Sequence, residues 1–434
     1  MVYALKRYTF PQRLRPIRAE IAIPGDKSIS HRAIMLGSLA KGETFVTNFL
    51  SGEDCLRTID IFRSFGVMIE QSGSSVRIIS DGFNKFKEPK EPLYFGNSGT
   101  TARLMLGILA GLPIHTVAYG DPYLTIRPMD RVTEPLRKMG ACIDGRDNGN
   151  YLPLAIRGKQ LQSIHYELPV KSAQVKSAIL LAGLFADRTT TIIERVPTRN
   201  HTENMLQAFG ANLTVEKEMI TVNSIRELKP VDILVPGDIS SAAFWIVAAA
   251  IVPQSVITMK NIGLNETRDG IIDVLKQMGS SITITNERTI GGEKVGDVTV
   301  THHELRSVTI EKDMIPRLID ELPIIALLAT QANGTTVIKN AEELRVKETD
   351  RIAAVVDVLK TLGATIEETD DGMIITGPTT LTGGEIKSYG DHRIAMMGAI
   401  ASFITKEDVT IDDVQVIDVS YPTFLDEVKR VLEG

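Results

Sequence analysis

Six stretches rich in apolar and small residues punctuate the chain, at residues 33–40, 101–110, 177–185, 242–250, 323–330 and 394–403. Each is followed by a short β-branched run, at 44–47, 115–117, 189–192, 255–258, 335–338 and 408–411. An amphipathic helix comes next, with apolar residues on one face only. Five of these helices end in a bulky apolar residue, a Gly and a small residue that starts a strand: Phe65-Gly66-Val67, Met139-Gly140-Ala141, Phe209-Gly210-Ala211, Met278-Gly279-Ser280 and Leu362-Gly363-Ala364. A Gly there suits the left-handed position after a helix C-cap. The C-terminal helix at 424–434 supplies a sixth, truncated copy. The pattern predicts an α/β protein of six repeats of roughly 70 residues, with hydrophobic helices inside and amphipathic helices outside.

The six repeats divide three and three. Val235-Pro-Gly-Asp-Ile-Ser-Ser241 opens the fourth with the same Pro-Gly-Asp triplet as Pro24-Gly25-Asp26. The two stretches are expected to act as paired hinges between two similar domains, 23–235 and 236–434, with residues 1–22 returning to the second. A cleft between such halves is where a ligand would bind.

Composition narrows the partners. A chain of 434 residues exceeds what one hydrophobic core usually serves. A formal charge of −6 and 5% aromatic content argue against nucleic acid or an anionic membrane as the main partner. An anionic ligand would therefore need a local cluster of Lys and Arg. Cys55 and Cys142 are the only cysteines, too few for a disulfide framework or a cysteine-based zinc site, and they fit a reducing cytoplasm. Residues 1–7 hold no apolar signal core, and the longest apolar run, 242–252, reads as a buried helix rather than a membrane span.

The cations collect where the repeats begin. Pro24-Gly-Asp-Lys-Ser-Ile-Ser-His-Arg32 brings Lys27, Ser28 and Arg32 to the front of the first apolar helix, beside free backbone N–H groups. An N-capped helix with solvated Lys and Arg would read the same way, but the layout recurs. Gly96-Asn-Ser-Gly-Thr-Thr-Ala-Arg103 opens the second apolar helix, and Gly99 lets a phosphate or carboxylate approach the backbone. Arg127 stands before Pro128 on an extended loop, positioned to reach inward. Val170-Lys-Ser-Ala-Gln-Val-Lys176 opens the third with Ser172, Gln174 and Lys176, and Arg199 and His201 precede the next amphipathic helix. A His in that place more often caps a helix than catalyses.

The second half adds acids. Asp320 and Glu321 stand at the mouth of the apolar helix that begins at Pro323, either as favourable charges at a helix N-terminus or as a general base. In Leu344-Arg-Val-Lys-Glu-Thr-Asp-Arg351, a helix would put Lys347 and Arg351 at i and i+4 on one face, tolerable chiefly with an anion between them. Asp391-His-Arg393 sets a further Arg at a positive helix end. Together these residues describe a site for one or two small, highly anionic molecules, without naming a reaction.

In order along nearly the whole chain, Pro24–Arg32, Asn97–Arg103, Arg127-Pro128, Ser172-Ala173-Gln174, Pro236-Gly-Asp238, Asp320, Lys347-Glu348-Thr-Asp-Arg351 and Asp391-His-Arg393 resemble the 5-enolpyruvylshikimate-3-phosphate synthase family. The resemblance implies two domains of three βαβαββ units each, an inverse α/β barrel pair with the active site in the interdomain cleft. It implies transfer of the enolpyruvyl group of phosphoenolpyruvate to the 5-hydroxyl of shikimate 3-phosphate, with release of phosphate and with no metal or cofactor. By residue-to-residue matching, Lys27, Ser28, Arg32, Ser172, Ala173, Gln174, Arg199, Asp320 and Lys347 would hold shikimate 3-phosphate. Lys27, Gly99, Arg127, Gln174, Arg351 and Arg393 would hold phosphoenolpyruvate. Asp320 would act as base on the 5-hydroxyl, with Glu348 and Lys27 moving the proton at C3. A monomer inhibited by glyphosate in competition with phosphoenolpyruvate is expected, Gly99 standing where tolerant members often carry Ala.

The chain departs from enteric and plant members at three places. Lys171-Ser-Ala-Gln-Val-Lys176 replaces a Ser-Ser-Gln pattern, Arg199 takes over a phosphate contact, and Val419 stands in place of a C-terminal Lys. Two rivals remain. A UDP-N-acetylglucosamine enolpyruvyl transferase would share the fold but usually has a Cys in the loop that here reads Ala118-Tyr-Gly-Asp-Pro-Tyr-Leu124. A non-catalytic sugar-phosphate-binding protein would have no need of Asp320 and Glu348.

Overall fold

The computed structural model describes residues 6–12, 15–290 and 292–433. Residues 1–5, on which the reading of the N-terminus partly rests, lie outside the described residues. The repeat is carried by helices α1 (Lys27–Leu39), α2 (Glu53–Ser64), α3 (Gly99–Gly111), α4 (Asp130–Lys138), α5 (Ala173–Gly183), α6 (His201–Ala208), α7 (Ile239–Ile251), α8 (Gly270–Gln277), α9 (Leu322–Ala329), α10 (Arg351–Thr361), α11 (His392–Ala401) and α12 (Phe424–Glu433). Odd-numbered helices are the apolar ones: every residue of α7 and α9 is buried, whereas the even-numbered helices keep one face in solvent. Among the described residues no helix is long and apolar enough to cross a membrane.

The punctuation read from the sequence has its physical cause in the backbone. Gly66, Gly140, Gly210, Gly279 and Gly363, each just past the end of an even-numbered helix, have φ between +84° and +90°. A Cβ is strained in that conformation, so Gly ends the helix and turns the chain into the next strand. At the other end, Asp26, Ser98, Ser172, Asp238 and Asp391 cap α1, α3, α5, α7 and α11, each side chain accepting a first-turn N–H. Each cap contributes about 1 kcal/mol.

Five four-stranded sheets share one plan. In the first, Ile233–Leu234 runs parallel to Lys41–Thr47, which pairs antiparallel with Ser75–Asp81, itself the partner of Met68–Ser72. The sixth sheet has three strands and reveals how the truncated repeat is completed. Gly384–Ile386 leads in parallel to Val409–Ile411, and the antiparallel place that a following hairpin would take is filled by Tyr8–Phe10. Arg18–Ile21 likewise leads the fourth sheet, parallel to Val256–Gly263.

The chain folds into two compact units. The inserted unit is Gly25–Val235 with Ile290–Gly292, and the terminal unit is Met1–Pro24, Pro236–Thr289 and Glu293–Gly434. Each has its own hydrophobic core, the inserted one packed around α1, α3 and α5, the terminal one around α7, α9 and α11. In the terminal core the indole N–H of buried Trp245 donates to Tyr421 Oη at 3.1 Å, and the Tyr421 hydroxyl donates to Glu427 Oε2 at 2.6 Å, so its polar atoms are satisfied.

Candidate active site

In the inserted unit, α1 begins at Lys27 itself rather than near residue 33, so the expected grip is built into the helix. Lys27 stands in the first turn and pairs with Asp54 of α2, and half-buried Ser28 follows it. Arg32, more than a turn further in, is only 4% exposed. Its Nε donates to Thr202 Oγ1 at 2.7 Å, Nη1 to the Ser28 carbonyl at 2.9 Å and Nη2 to Ser177 Oγ at 2.9 Å. The sequence reading put Arg32 at the helix front. The structure instead uses its guanidinium to bind α1 to α5 and α6. The helix front is also not a bare row of N–H groups, because Asp26 accepts from Ile29 N at 2.8 Å.

Gly99 opens α3 with Ser98 as its cap, and two side chains approach it closely. A Cβ there would lie 2.9 Å from Arg127 Nη2 and 3.0 Å from Arg103 Nη1. Two guanidinium groups thus pack against a bare Cα. Arg127 sits in the bend after a one-turn helix, Pro122–Thr125, its Nη1 reaching the Asn97 carbonyl at 3.4 Å. Arg127 Nε is buried and has no hydrogen-bond partner among the described residues. Arg103 donates through Nη1 to Gln174 Oε1 at 2.7 Å and through Nη2 to the Pro128 carbonyl at 3.2 Å, while Gln174 Nε2 donates to Thr100 Oγ1 at 3.1 Å. The acceptors of these Arg103 and Arg127 hydrogen bonds are neutral, and Arg127 also acts on Asp121, whose pKa burial pushes up against the lowering pull of the guanidinium.

Ser172 caps α5, followed by half-buried Ala173 and Gln174. Lys176, which the sequence grouped with them, is internal: 1% of its side chain is exposed, and Nζ lies 2.8 Å from Glu194 Oε2, 2.7 Å from Glu203 Oε1 and 3.2 Å from the Thr198 carbonyl. It braces the loop that carries half-buried Arg199 into α6. His201 is buried as the first residue of α6.

In the terminal unit the charges interlock. Asp320 and Glu321 lie on the turn between Ile315–Leu318 and α9. Asp320 Oδ1 is 3.2 Å from Arg351 Nη1 and 3.7 Å from Lys347 Nζ, and Arg393 Nη1 donates to the Asp320 carbonyl at 3.0 Å. Buried Arg351 also donates to Asp391 Oδ2 through Nε at 2.7 Å and to Glu348 Oε2 through Nη2 at 2.6 Å. Burial alone would lower the pKa of this guanidinium, but Asp391, Glu348 and Asp320 together hold it above its ordinary value.

The expected helical face shared by Lys347 and Arg351 is absent. A 3₁₀ turn at Glu342–Val346 ends before Lys347, and Asp350 caps α10 at Arg351, its Oδ1 accepting from Ala353 N at 3.1 Å. What lies between the two cations is the Asp320 carboxylate. At Arg393 the acid meets the helix end rather than the guanidinium, because Asp391 caps α11 by accepting from Arg393 N at 2.8 Å. Behind Asp320, Glu321 is 1% exposed and accepts from Ser240 Oγ, which with Asp238 faces buried Arg268. Burial raises the Glu321 pKa, against the lowering pull of Arg268 and Arg393. Val419 is half-buried at the end of a 3₁₀ turn, Gln415–Val419. Among the described residues no group of three His, Cys, Asp or Glu side chains comes together to hold a metal ion.

Asp54 and Arg268 were not singled out from the sequence, whereas Arg103, Ser240 and Asp391 were named only within motifs and Glu321 only beside Asp320 as a candidate base. Asp54 offered no local signal, since an acid in the first turn of a helix is ordinary. Arg103 did lie within a quoted motif, four residues after Gly99.

Two similar α/β units, each with cations and amides gathered at the fronts of its buried helices, define a protein that handles small polyanions. A profile of EPSP synthase (3-phosphoshikimate 1-carboxyvinyltransferase) matches residues 11–428, and the chain belongs to that family. Proteins named 3-phosphoshikimate 1-carboxyvinyltransferase share 58% identity in Oceanobacillus iheyensis, over 98% of this chain and 100% of the relative, and 54% in Bacillus subtilis, over 96% and 98%. A solved structure of EPSP synthase from Acinetobacter baumannii superposes with a TM-score of 0.88 at 42% identity, covering 98% of both chains.

Proposed function

We propose that this chain transfers the enolpyruvyl group of phosphoenolpyruvate to the 5-hydroxyl of shikimate 3-phosphate, releasing inorganic phosphate, with the residues named here in the following roles. The 5-hydroxyl oxygen attacks C2 while C3 gains a proton, and the hydroxyl proton passes to a base. The tetrahedral adduct then loses phosphate from C2 and a proton from C3, which regenerates the enol. Asp320 is the base on the 5-hydroxyl, and Glu348 and Lys27 exchange the proton at C3.

The observation that carries this reading is the Asp320 carboxylate held between Lys347 and Arg351, with Arg393 on its own carbonyl. A carboxylate so placed is surrounded by groups that attract substrate phosphate and carboxylate, and its oxygens offer a place for the hydroxyl proton. Arg127, Arg351, Arg393, Lys27, Gln174 and the bare Cα of Gly99 receive phosphoenolpyruvate. Lys27, Ser28, Ser172, Ala173, Gln174, Arg199 and Lys347 receive shikimate 3-phosphate, with Arg32 supplying its charge from beneath α1. Both substrates are polyanions, and the assembled cations offset their repulsion before bonds form. Glyphosate competes with phosphoenolpyruvate in this reading, and the protein works as a monomer in the cytoplasm.

Phosphate release from phosphoenolpyruvate at neutral pH, measured with shikimate 3-phosphate and separately with UDP-N-acetylglucosamine, tests the assignment. Release with shikimate 3-phosphate alone is expected. Release with the nucleotide sugar alone overturns the acceptor, and silence with both, accompanied by tight binding, overturns catalysis.

A further inference from the structure

One buried polar chain in the inserted unit has no place in the chemistry above. His31 of α1, Thr58 of α2, and Ser98 and Thr101 at the start of α3 are all fully buried. His31 Nδ1 lies 2.8 Å from Thr58 Oγ1, which is 3.0 Å from Thr101 Oγ1, which is 2.7 Å from Ser98 Oγ. Ser98 Oγ in turn accepts the Thr101 N–H at 3.1 Å.

Every link of this chain can be served at once. Three hydroxyl protons serve three links if Thr58 donates to His31, Thr101 to Thr58 and Ser98 to Thr101. With a proton on Nδ1 the spare hydroxyl proton has the Asp54 carbonyl as an acceptor, so the chain closes with either tautomer. The other ring nitrogen, Nε2, is buried with no partner among the described residues, a cost that an apolar side chain at position 31 would avoid. Burial, followed by the charges of Lys27 and Arg32, keeps the imidazole neutral. Without His31, the hydroxyls of Thr58 and Thr101 would have the Asp54 carbonyl to turn to, at 3.4 and 3.5 Å.

We infer that His31 is a positioning residue: through Thr58 and Thr101 it sets the first turn of α3, and with it Gly99 and the guanidinium groups packed on Gly99, relative to Lys27 on α1. The inference rests on the assignment of Lys27, Gly99 and Arg127 to phosphoenolpyruvate. It separates the two substrates, because Ser172 and Arg199 lie on other elements, whereas Gln174, assigned to both substrates, reaches Thr100 in the first turn of α3.

The test compares His31→Leu, His31→Asn, Thr101→Val and the double variant His31→Leu/Thr101→Val, with circular dichroism and Tm establishing the fold. His31→Leu is expected to raise KM for phosphoenolpyruvate and the inhibition constant of glyphosate together, about tenfold. KM for shikimate 3-phosphate should change less than about twofold. His31→Asn, whose carboxamide oxygen can accept from Thr58, should recover most of the loss. The double variant should be no worse than His31→Leu, as expected for two members of one chain. An unchanged KM for phosphoenolpyruvate, equal rises in both KM values, or multiplicative effects in the double variant would each overturn the inference. If His31→Leu fails to fold, His31→Asn and Thr101→Val carry the same comparison. An inactive wild-type protein overturns the proposed function and the inference with it, whereas an active wild type with indifferent variants overturns the inference alone.

Discussion

The two units hold several of their site cations in different ways. In the inserted unit, the hydrogen bonds described for Arg32, Arg103 and Arg127 run to hydroxyls, carbonyls and a carboxamide, while Lys27 pairs with Asp54 and internal Lys176 with Glu194 and Glu203. In the terminal unit, Arg351 meets three carboxylates, Asp320, Glu348 and Asp391, and Lys347 shares the first of them. Neutral partners orient a charge without cancelling it, so the first arrangement is preorganised for an incoming anion. Carboxylate partners mute the charge but supply sites where protons can go. Binding strength and proton transfer are thus built from the same residue types in different company.

The largest expected effects fall on the groups that move protons. Lys27→Ala and Asp320→Ala should each lower turnover about a hundredfold or more, read as kcat for phosphate release. Rates near wild type would remove those roles.

Next comes a contrast in stability. Asp391→Asn breaks a fully buried ion pair and should cost about 3–5 kcal/mol in denaturant unfolding. Arg127→Ala, whose guanidinium makes no direct ion pair among the described residues, should leave the unfolding midpoint nearly unchanged while raising KM for phosphoenolpyruvate. Similar stability losses in both variants would erase the distinction between the units.

Gly99→Ala is a smaller perturbation. A methyl group 2.9 Å from Arg127 Nη2 forces that side chain to shift. KM for phosphoenolpyruvate and the glyphosate inhibition constant should both rise, with Tm little altered. An inhibition constant that stays fixed would place glyphosate elsewhere.

The smallest effect is in pH dependence. Burial, then Lys27 and Arg32, hold the pKa of folded His31 well below the ordinary 6.5 that it keeps in the unfolded chain. Its contribution to stability is therefore fully present above 6.5 and is lost as pH falls below that value, because only the unfolded state takes up the proton. His31→Asn lacks this term. Any Tm deficit of the variant at pH 7.5 should narrow at pH 5, and a widening gap would mean that His31 is charged in the folded protein.

The repeat was legible because its signals are local: an apolar helix, a β-branched strand, and a Gly whose φ is positive in all five copies. The fronts of the buried helices were legible for the same reason. The pairings were not. Lys27–Asp54 and Arg351–Asp391 join residues far apart in the chain, and no local spacing announces which acid will arrive beside which cation. The helix read through 344–351 failed for a local reason that competed with its charge pattern. Asp350 is a strong N-cap, and it starts α10 at Arg351, leaving Lys347 outside.

The three-stranded sheet completed by Tyr8–Phe10 has a consequence for biosynthesis. Tyr8 pairs with Ile411, so one edge of the terminal unit waits for a partner until Val409–Ile411, about 400 residues later, has left the ribosome. The inserted unit, Gly25–Val235, has every strand of its three sheets in hand as soon as Leu234 emerges. Synthesis is vectorial, so the inserted unit is expected to fold first, while the segment before it is held open as an unfinished edge. Nascent chains arrested once residue 235 has cleared the ribosomal exit tunnel should resist protease across that unit and remain cleavable near Arg18.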